Sequence, residues 1–185
     1  MLYDKSYFDV RARTVDRSEW RDILKLLKKR SGKTVLEVGC GLGGLIAFLE
    51  AHGYSAVGCD ISDYAVEECL KKGLNVIKAD AQDLPYPDNS FDFVVSQHLL
   101  EHCEDDAKAL KESIRVAKVR VVHVVPGHQS NDPTHIRNHY TIDMIMDLIE
   151  RVKNEIPNLT FIVMPDSLSL RHPQVLDWII VVDLQ

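Results

Sequence analysis

The chain has 185 residues, of which 45% are hydrophobic and 27% are charged, and its formal net charge is −6. This length fits one domain. The apolar runs are all shorter than the roughly 20 residues that span a bilayer. The negative charge disfavours a broad nucleic-acid-binding surface. The charged N-terminus is unlike a secretory signal and the four cysteines lack CxxC spacing, so we expect reduced cysteines, no membrane segment and a cytoplasmic protein.

Helical and extended patterns alternate along most of the chain. Apolar residues recur at helical spacing behind candidate N-caps such as Ser18 and Ser62, and we expect Val66, Leu70 and Ile142 to face the core. The predicted helices cover Ser18–Arg30, Leu42–His52, Ser62–Lys72, Glu104–Ala117 and Thr141–Glu155. The predicted strands cover Thr34–Cys40, Ser55–Ile61, Asn75–Ala79, Phe91–Ser96, Val119–Val125, Leu159–Met164 and Leu176–Leu184.

The order of these elements predicts an α/β fold. Strands that alternate with helices form a mostly parallel sheet with helices on both faces. The last two strands are joined without a helix, so we expect an antiparallel pair at one edge of the sheet. Ligands bind such sheets beyond the carboxyl ends of the strands. The loops at that edge begin at Gly39, Asp60, Asp80, Gln97 and Pro126.

The first of these loops is rich in glycine. It follows a predicted strand, opens a helix and has the sequence EVGCGLGG. Gly39, Gly41 and Gly44 match GxGxxG, a pattern that is weak evidence by itself. Asp60 follows Gly39 by 21 residues, which is the distance expected for a carboxylate that binds ribose hydroxyls. Adenosyl and nicotinamide cofactors both contain such a ribose, so Asp60 does not distinguish them.

Glu37 helps to distinguish the two cofactors. A pyrophosphate prefers the amides of a helix N-terminus, and a carboxylate two residues before the first glycine would repel it. S-adenosylmethionine has no phosphate and presents an ammonium and a sulfonium, which a carboxylate attracts. The alternative is a structural Glu37 that accepts hydrogen bonds from loop amides.

Four segments in order resemble class I S-adenosylmethionine-dependent methyltransferases of the small-molecule type, the methyltransferase type 11-like branch. They are VLEVGCGLGG, AVGCDIS, VIKADAQDLPYPDNSFDFVVSQHLLEHCED and the helix that follows, and together they cover about Lys33 to Pro126. The resemblance implies a single Rossmann-like, doubly wound domain whose seven-stranded, mostly parallel sheet has an antiparallel last strand and helices on both faces. We expect residues 1–32 to form an N-terminal cap helix segment, 33–126 the cofactor-binding core, and 127–185 an acceptor-side loop, a helix and the antiparallel strands.

The resemblance also implies roles for individual residues toward S-adenosylmethionine, whose product is S-adenosylhomocysteine. The methionine part would lie against Glu37, Gly39, Gly41 and Gly43. Asp60 would bind the ribose diol, and the adenine would contact Ile61, Asp80 and Ala81. Gln97 would face the methionine part or the acceptor.

The acceptor side is less specific. His98 follows the fourth strand and is our candidate for a catalytic or substrate-binding residue, whereas the LEH turn that ends in His102 is expected to be structural. The polar segment from Pro126 to Tyr140 predicts a lid over the acceptor, with His128, His135 and Arg137 on the substrate side, or a plain solvated loop. His135 and His139 are four residues apart, but apart from Asp132 no carboxylate or cysteine at family-like spacing completes a metal site, and we predict none.

The N-terminal aromatic residues are a further candidate. Tyr7 belongs to a leading segment that would fold over the cofactor in similar enzymes, or would simply pack on the sheet edge.

The SQHLL turn differs from the Pro-Pro turns of methyltransferases that act on adenine or glutamine amines, and the chain is small. A small O- or N-acceptor is therefore favoured, with a protein or tRNA acceptor as the alternative. A non-catalytic partner subunit and an NAD-binding oxidoreductase are the competing functions.

Overall fold

The computed structural model describes residues 3–11, 18–129, 131–167 and 177–184. Within these ranges, strands and helices alternate as the sequence predicts. The strands are β1 (Thr34–Val38), β2 (Ser55–Asp60), β3 (Val76–Lys78), β4 (Phe91–Gln97), β5 (Ala117–Pro126), β6 (Thr160–Pro165) and β7 (Asp177–Asp183). The helices are α1 (Lys5–Arg11), α2 (Ser18–Leu27), α3 (Gly44–Glu50), α4 (Asp63–Lys71), α5 (Asp106–Val116) and α6 (Ile142–Glu155), with a 3-10 helix at Leu100–His102.

The strands form one sheet in the order β3-β2-β1-β4-β5-β7-β6. Neighbours from β3 to β5 pair in parallel, and β7 pairs antiparallel with both β5 and β6. The predicted Rossmann-like fold, with seven strands and a reversed last strand, is confirmed. The chain order reverses between β1 and β4, and ligands of open α/β sheets bind at such a reversal.

Alternate residues of the strands enter two separate cores, as the twofold repeat of a strand requires. On β1, Leu36 and Val38 pack in one core with α5 and α6, and Val35 packs in the other with α2 and α3. Helices therefore cover both faces of the sheet. All four cysteines are buried and unpaired, as predicted.

The helix caps explain several boundaries. The side chains of Ser62, Asp105 and Thr141 accept hydrogen bonds from the first turns of α4, α5 and α6. Helix α3 begins at Gly44, two residues after the predicted start, because Gly41 and Gly43 have left-handed φ angles of 50° and 75°.

Helix α1 was not predicted. Its local signal is Asp4, whose Oδ1 accepts hydrogen bonds from the amides of Ser6 at 2.9 Å and Tyr7 at 3.3 Å. Lys5 and Asp9 add an ion pair of 2.6 Å at helical spacing. The Asp4 cap and the Lys5–Asp9 pair favour helix α1. The helix has too few apolar residues for a hydrophobic periodicity to predict it.

Several details of the prediction are wrong. Leu70 is 55% exposed and Val66 is only partly buried, because α4 packs through Ala65 and Cys69. Ile142 is 43% exposed, because α6 packs through its next turns, from Ile145 to Val152. The predicted strand start at Leu176 lies outside the described residues.

No helix in the described ranges is both long and apolar enough to cross a bilayer. The longest of them, α6, has 14 residues and one apolar face.

Candidate functional site

A cavity of about 720 Å³ lies at the carboxyl ends of the parallel strands, around the reversal between β1 and β4. The loops after β1, β2, β3, β4 and β5 all contribute to its wall. Of the residues predicted for the site, those that line the cavity are Tyr7, Glu37, Gly39, Gly41, Asp60, Ile61, Asp80, Ala81, Gln97, His98, His128 and His135.

The glycine loop forms one wall of this cavity. Gly39 has a φ of 71°, its amide donates to the carbonyl of Cys59 at 2.8 Å, and a Cβ at this position would lie 2.8 Å from Cδ1 of Leu99. The next alternate glycine, Gly41, has a φ of 50° and faces the ring of Phe8. Both positions therefore favour glycine. At Gly39 the reasons are the left-handed φ angle and the close approach of Leu99, and at Gly41 the reason is chiefly the left-handed φ angle.

Asp60 stands at the end of β2 and fixes the glycine loop. Its Oδ2 accepts a hydrogen bond of 2.8 Å from the amide of Gly41, and its Oδ1 accepts one of 2.9 Å from the amide of Ser62. Burial raises the pKa of Asp60, whereas these amides favour its charged form. Each carboxylate oxygen can accept a second hydrogen bond, so Asp60 can still bind a diol in the cavity.

Glu37 is buried at the end of β1, with 4% of its surface exposed. Its Oε2 has no hydrogen-bond partner among the described residues. The structural alternative describes part of this carboxylate, because a backbone hydrogen bond from Ile46 favours its charged form while Oε2 is left unsatisfied. Burial raises the pKa of Glu37 well above its usual range. A buried acceptor that faces a cavity is suited to an ammonium group, which would satisfy it and supply the opposite charge.

The opposite end of the glycine loop meets residues after β2 and β3. Ile61 lines the cavity although 53% of its surface is exposed, so its side chain offers an open apolar surface. Oδ1 of Asp80 accepts from the amide of Gln82 at 2.8 Å, which holds the loop, and Ala81 is buried beside it. An apolar side chain next to a carboxylate can hold a flat ring that bears an amino group.

Residues of α1 close one side of the cavity. The hydroxyl of Ser62 donates to the carbonyl of Tyr3 at 2.6 Å, which ties this segment to the start of α4. The ring of Tyr7 contacts Tyr3 and Phe8 edge to face at 5.1 and 5.0 Å between centroids. Phe8 in turn stacks on Tyr64 and is buried against the glycine loop. Tyr3, Tyr7 and Phe8 thus all line the cavity.

A polar network lines the other end of the cavity. Nε1 of Trp20 donates to Oε1 of Gln97 at 2.8 Å, and Nε2 of Gln97 donates to Glu19. His98 has a left-handed φ of 51°, and its Nε2 and Nδ1 lie 3.3 and 3.4 Å from carboxylate oxygens of Glu19 and Glu101. Burial alone would lower the pKa of His98, but these carboxylates hold it well above its usual range. Both ring nitrogens of His98 thus lie beside carboxylates, and the ring joins Glu19 to Glu101 at this end of the cavity.

Asp177 completes this end of the cavity. Its Oδ1 lies 3.0 Å from Nδ1 of His128, and burial raises its pKa to about 6. The sequence prediction missed Asp177, Glu19 and Trp20. For Asp177 a signal existed: a reversed strand places its first residue at the carboxyl edge of its parallel neighbour, and Asp177 indeed pairs with Pro126. Nothing in the sequence indicates that the start of α2 reaches the same cavity.

Two predicted site residues lie outside the cavity. A Cβ on Gly43 would lie 2.3 Å from Cδ1 of Leu74, so this glycine allows α3 to pack closely against its neighbours. The guanidinium of Arg137 pairs with Asp106 at 3.0 Å and donates to the carbonyl of Cys103 at 2.6 Å. Its function is to anchor the loop after β5 to the start of α5, which corrects the prediction that it binds a substrate.

The core of the chain is similar to a known protein family. Residues 36–125 match a family described as a methyltransferase domain. Ajmaline N-methyltransferase of Rauvolfia serpentina is 30% identical over 113 residues, which are 56% of this chain and 39% of that protein. The tRNA (carboxymethyluridine(34)-5-O)-methyltransferase of Arabidopsis thaliana is 32% identical over 105 residues, 55% of this chain and 26% of that protein. The chain thus spans well under half the length of these relatives.

The fold has close counterparts among solved structures. A crystal structure from Thermotoga maritima, described as a SAM-dependent methyltransferase and a possible histamine N-methyltransferase, superposes with a TM-score of 0.68. The superposition covers 91% of this chain and 88% of that one at 21% sequence identity. At this identity the likeness concerns the fold.

Proposed function

We propose that this chain, whose residues 36–125 match a methyltransferase domain, transfers a methyl group from S-adenosylmethionine to a small O- or N-acceptor. One observation carries the proposal: a buried carboxylate with an unsatisfied oxygen, Glu37, and a second carboxylate, Asp60, flank a left-handed glycine loop in a single cavity. This arrangement fits a ligand that has a cationic amino acid at one end and a sugar in the middle.

In this proposal the residues act mainly by position. Glu37 binds the ammonium of the methionine part, Gly39 and Gly41 let it approach the backbone, and Asp60 binds the ribose diol. Ile61, Asp80 and Ala81 hold the adenine. Bound here, the cofactor supplies an electrophilic methyl group for an in-line displacement, and holding both reactants in line while excluding water accounts for most of the acceleration.

The acceptor would enter at the end lined by Glu19, Trp20, His98, His128 and Asp177. In this proposal His98 lies beside the acceptor and positions the carboxylates of Glu19 and Glu101, and Tyr7 with its aromatic neighbours closes the cavity over the cofactor. A space of about 720 Å³ shared by cofactor and acceptor favours a small acceptor. One relative acts on tRNA, so a nucleic-acid acceptor is the second candidate, although the net charge of −6 is unfavourable to it.

The four buried, unpaired cysteines favour a reducing compartment, and we propose the cytoplasm.

Two competing functions make different predictions. A dinucleotide cofactor would place a diphosphate beside the glycine loop, and there the buried carboxylate of Glu37 would repel it. A non-catalytic partner subunit has no need of intact cofactor-binding residues, but in this chain Glu37, Asp60 and the glycines all remain.

Calorimetry with the purified chain tests the proposal. We expect S-adenosylmethionine and S-adenosylhomocysteine to bind and NADH not to bind. A panel of small hydroxyl and amine compounds, and in parallel unmodified tRNA, is then assayed for release of S-adenosylhomocysteine. Binding of NADH without binding of either sulfur ligand would refute the proposal, and binding of the sulfur ligands without turnover of any acceptor would favour the partner-subunit function.

A further inference from the structure

Glu101, His102 and His135 form a compact cluster of metal-ligand side chains next to the proposed acceptor end. One candidate ligand atom of each residue lies within 4.8 Å of those of the other two. Glu101 is fully buried, and its Oε2 accepts no hydrogen bond from any described residue. His102 and His135 both line the cavity. We propose that this cluster binds one divalent first-row transition metal ion, with Zn²⁺ as the reference ion.

The donor set is chemically suited to such an ion. Two imidazoles and one carboxylate bind Zn²⁺ in catalytic sites and leave a fourth position for water or substrate. Tetrahedral Zn²⁺ holds ligand atoms roughly 3.3 Å apart, so each side chain would need to move by only on the order of 1 Å. The rings of His102 and His135 already meet edge to face, with centroids 4.6 Å apart.

Each candidate ligand also lies near a polar group that can serve as its outer partner once a metal is bound. Nδ1 of His102 lies 3.2 Å from the carbonyl oxygen of Thr134 and 3.1 Å from its hydroxyl, which itself donates to Asp132 at 2.6 Å. Both oxygens can accept a proton from Nδ1, which leaves the lone pair of Nε2 for a metal. Nε2 of His135 lies 3.8 Å from Oδ2 of Asp132, and Oε1 of Glu101 lies 3.4 Å from Nδ1 of His98.

The backbone holds these residues together across a long stretch of sequence. The amides of Ile136 and Arg137 donate to the carbonyl of Glu101 at 2.9 and 3.1 Å. These bonds fix the loop after β5 against the 3-10 helix, which places His135 beside its two partners. His139, the neighbour that sequence spacing suggests, is not a member of the cluster.

Because His102 and His135 face the cavity, the open coordination position would face the acceptor. An ion there would act as a Lewis acid that favours the deprotonated form of an acceptor hydroxyl. Metal binding itself does not depend on the proposed methyl transfer, and it is measured without turnover.

The test uses the full chain after treatment with EDTA and dialysis. Calorimetric titration with ZnCl₂ should give about one ion per chain, and CoCl₂ should produce the visible absorption of a tetrahedral site. Glu101→Gln and His135→Gln should each weaken Zn²⁺ binding by more than about 100-fold. His139→Gln is the matched control in the same loop, and Glu19→Gln controls for the neighbouring cluster of Glu19, His98 and Asp177; both should bind Zn²⁺ like the wild type.

Thermal unfolding and S-adenosylhomocysteine binding are measured for every variant. If Glu101→Gln does not fold, His135→Gln decides the result. The inference is overturned if the wild type binds no Zn²⁺ or Co²⁺, or if binding persists in both cluster variants. It is equally overturned if His139→Gln or Glu19→Gln abolishes binding. Because S-adenosylhomocysteine binding is a separate readout, failure of the metal site and failure of the proposed function can be told apart.

Discussion

The backbone amide of Gly41 donates a hydrogen bond of 2.8 Å to Oδ2 of Asp60. One carboxylate at the end of β2 thus holds the glycine loop at the end of β1 in its left-handed conformation. The same carboxylate faces the cavity. Asp60 is therefore both a structural and a proposed ligand-binding residue, and the two roles can be separated by measurement.

We expect Asp60→Ala to weaken S-adenosylhomocysteine binding by at least about 100-fold, because two hydrogen bonds from the ribose to a charged group contribute about 1.5–3 kcal/mol each. Calorimetry measures the loss. Asp63→Ala is the control: its carboxylate lies three residues away and forms an exposed ion pair with Lys78. A loss of affinity as large in Asp63→Ala as in Asp60→Ala would contradict the proposed contact.

The proton on Glu37 predicts a pH dependence of cofactor binding. Since burial raises the pKa of this carboxyl group well above its usual range, the free protein keeps a proton on Glu37 at pH values where an ordinary glutamate is ionised, and an incoming ammonium displaces this proton. Affinity for S-adenosylhomocysteine should therefore rise as pH increases from the ordinary glutamate pKa of about 4.3 toward neutrality, with proton release on binding. Titrations in buffers of different ionisation enthalpy measure that release.

Glu37→Gln provides the counterpart. Its binding should be weaker and should change little over the same pH range. In the free wild type, a raised carboxyl pKa makes the fold less stable as pH rises above the unfolded value of about 4.3. The glutamine variant should consequently unfold at the same or a higher temperature at pH 8. A steeper pH dependence in the variant would argue against Glu37 as the titrating group.

A comparison of alanine variants at Gly43 and Gly53 separates the cost of steric crowding from the cost of a left-handed backbone. Both have left-handed φ angles, 75° and 84°. A Cβ on Gly43 would lie 2.3 Å from Leu74, whereas one on Gly53 would meet nothing within 4 Å. Gly53→Ala should cost about 1–2 kcal/mol for the left-handed conformation alone. Gly43→Ala should cost a further 1–3 kcal/mol, by the approximate cost of overpacking.

Urea unfolding measures both costs. Since Gly43 does not line the cavity, we expect the folded Gly43→Ala protein to bind S-adenosylhomocysteine within a few-fold of the wild type. Equal destabilisation of the two variants would contradict the predicted steric cost of the contact with Leu74. Selective loss of ligand binding in Gly43→Ala would show that Gly43 belongs to the binding loop.

A buried ion pair joins β5 to β7. Arg120 is 4% exposed, and its guanidinium contacts both carboxylate oxygens of Asp183, at 2.6 and 2.9 Å. Arg120→Leu should cost about 3 kcal/mol, because it leaves the partly buried carboxylate of Asp183 with Arg30, a half-exposed side chain at 2.8 Å, as its remaining partner. The hydrogen bond from Arg120 lowers the pKa of Asp183, so this contribution is present above the unfolded pKa of about 3.9 and is lost as pH falls through the lower folded value.

Urea unfolding at pH 7 and at acid pH measures this contribution. Asp147→Asn is the control, since Asp147 is exposed in its pair with Arg151 and should contribute less than about 1 kcal/mol. A loss in Arg120→Leu no larger than that in the control would mean that the antiparallel strands do not depend on the buried pair.

The sequence by itself determined the fold class and the cofactor end of the cavity. Strand and helix periods are local, so the alternation of elements predicted a mostly parallel sheet whose carboxyl ends carry the ligand loops. Glu37 and Asp60 lie at the carboxyl ends of β1 and β2, and Gly39 directly follows β1. The strand ends of a parallel sheet meet at one edge. Local pattern and topology therefore agree at this end, which is why these residues were found without the structure.

Only the tertiary structure decided the acceptor end. Glu19 and Trp20 reach it from the first turn of α2, and Asp177 reaches it from a strand reversed between β5 and β6. His135 meets Glu101 and His102 through backbone bonds that join residues more than 30 positions apart. Arg137 is turned away by its pair with Asp106. Such contacts depend on how rigid elements pack in three dimensions, and no periodic pattern along the chain encodes them.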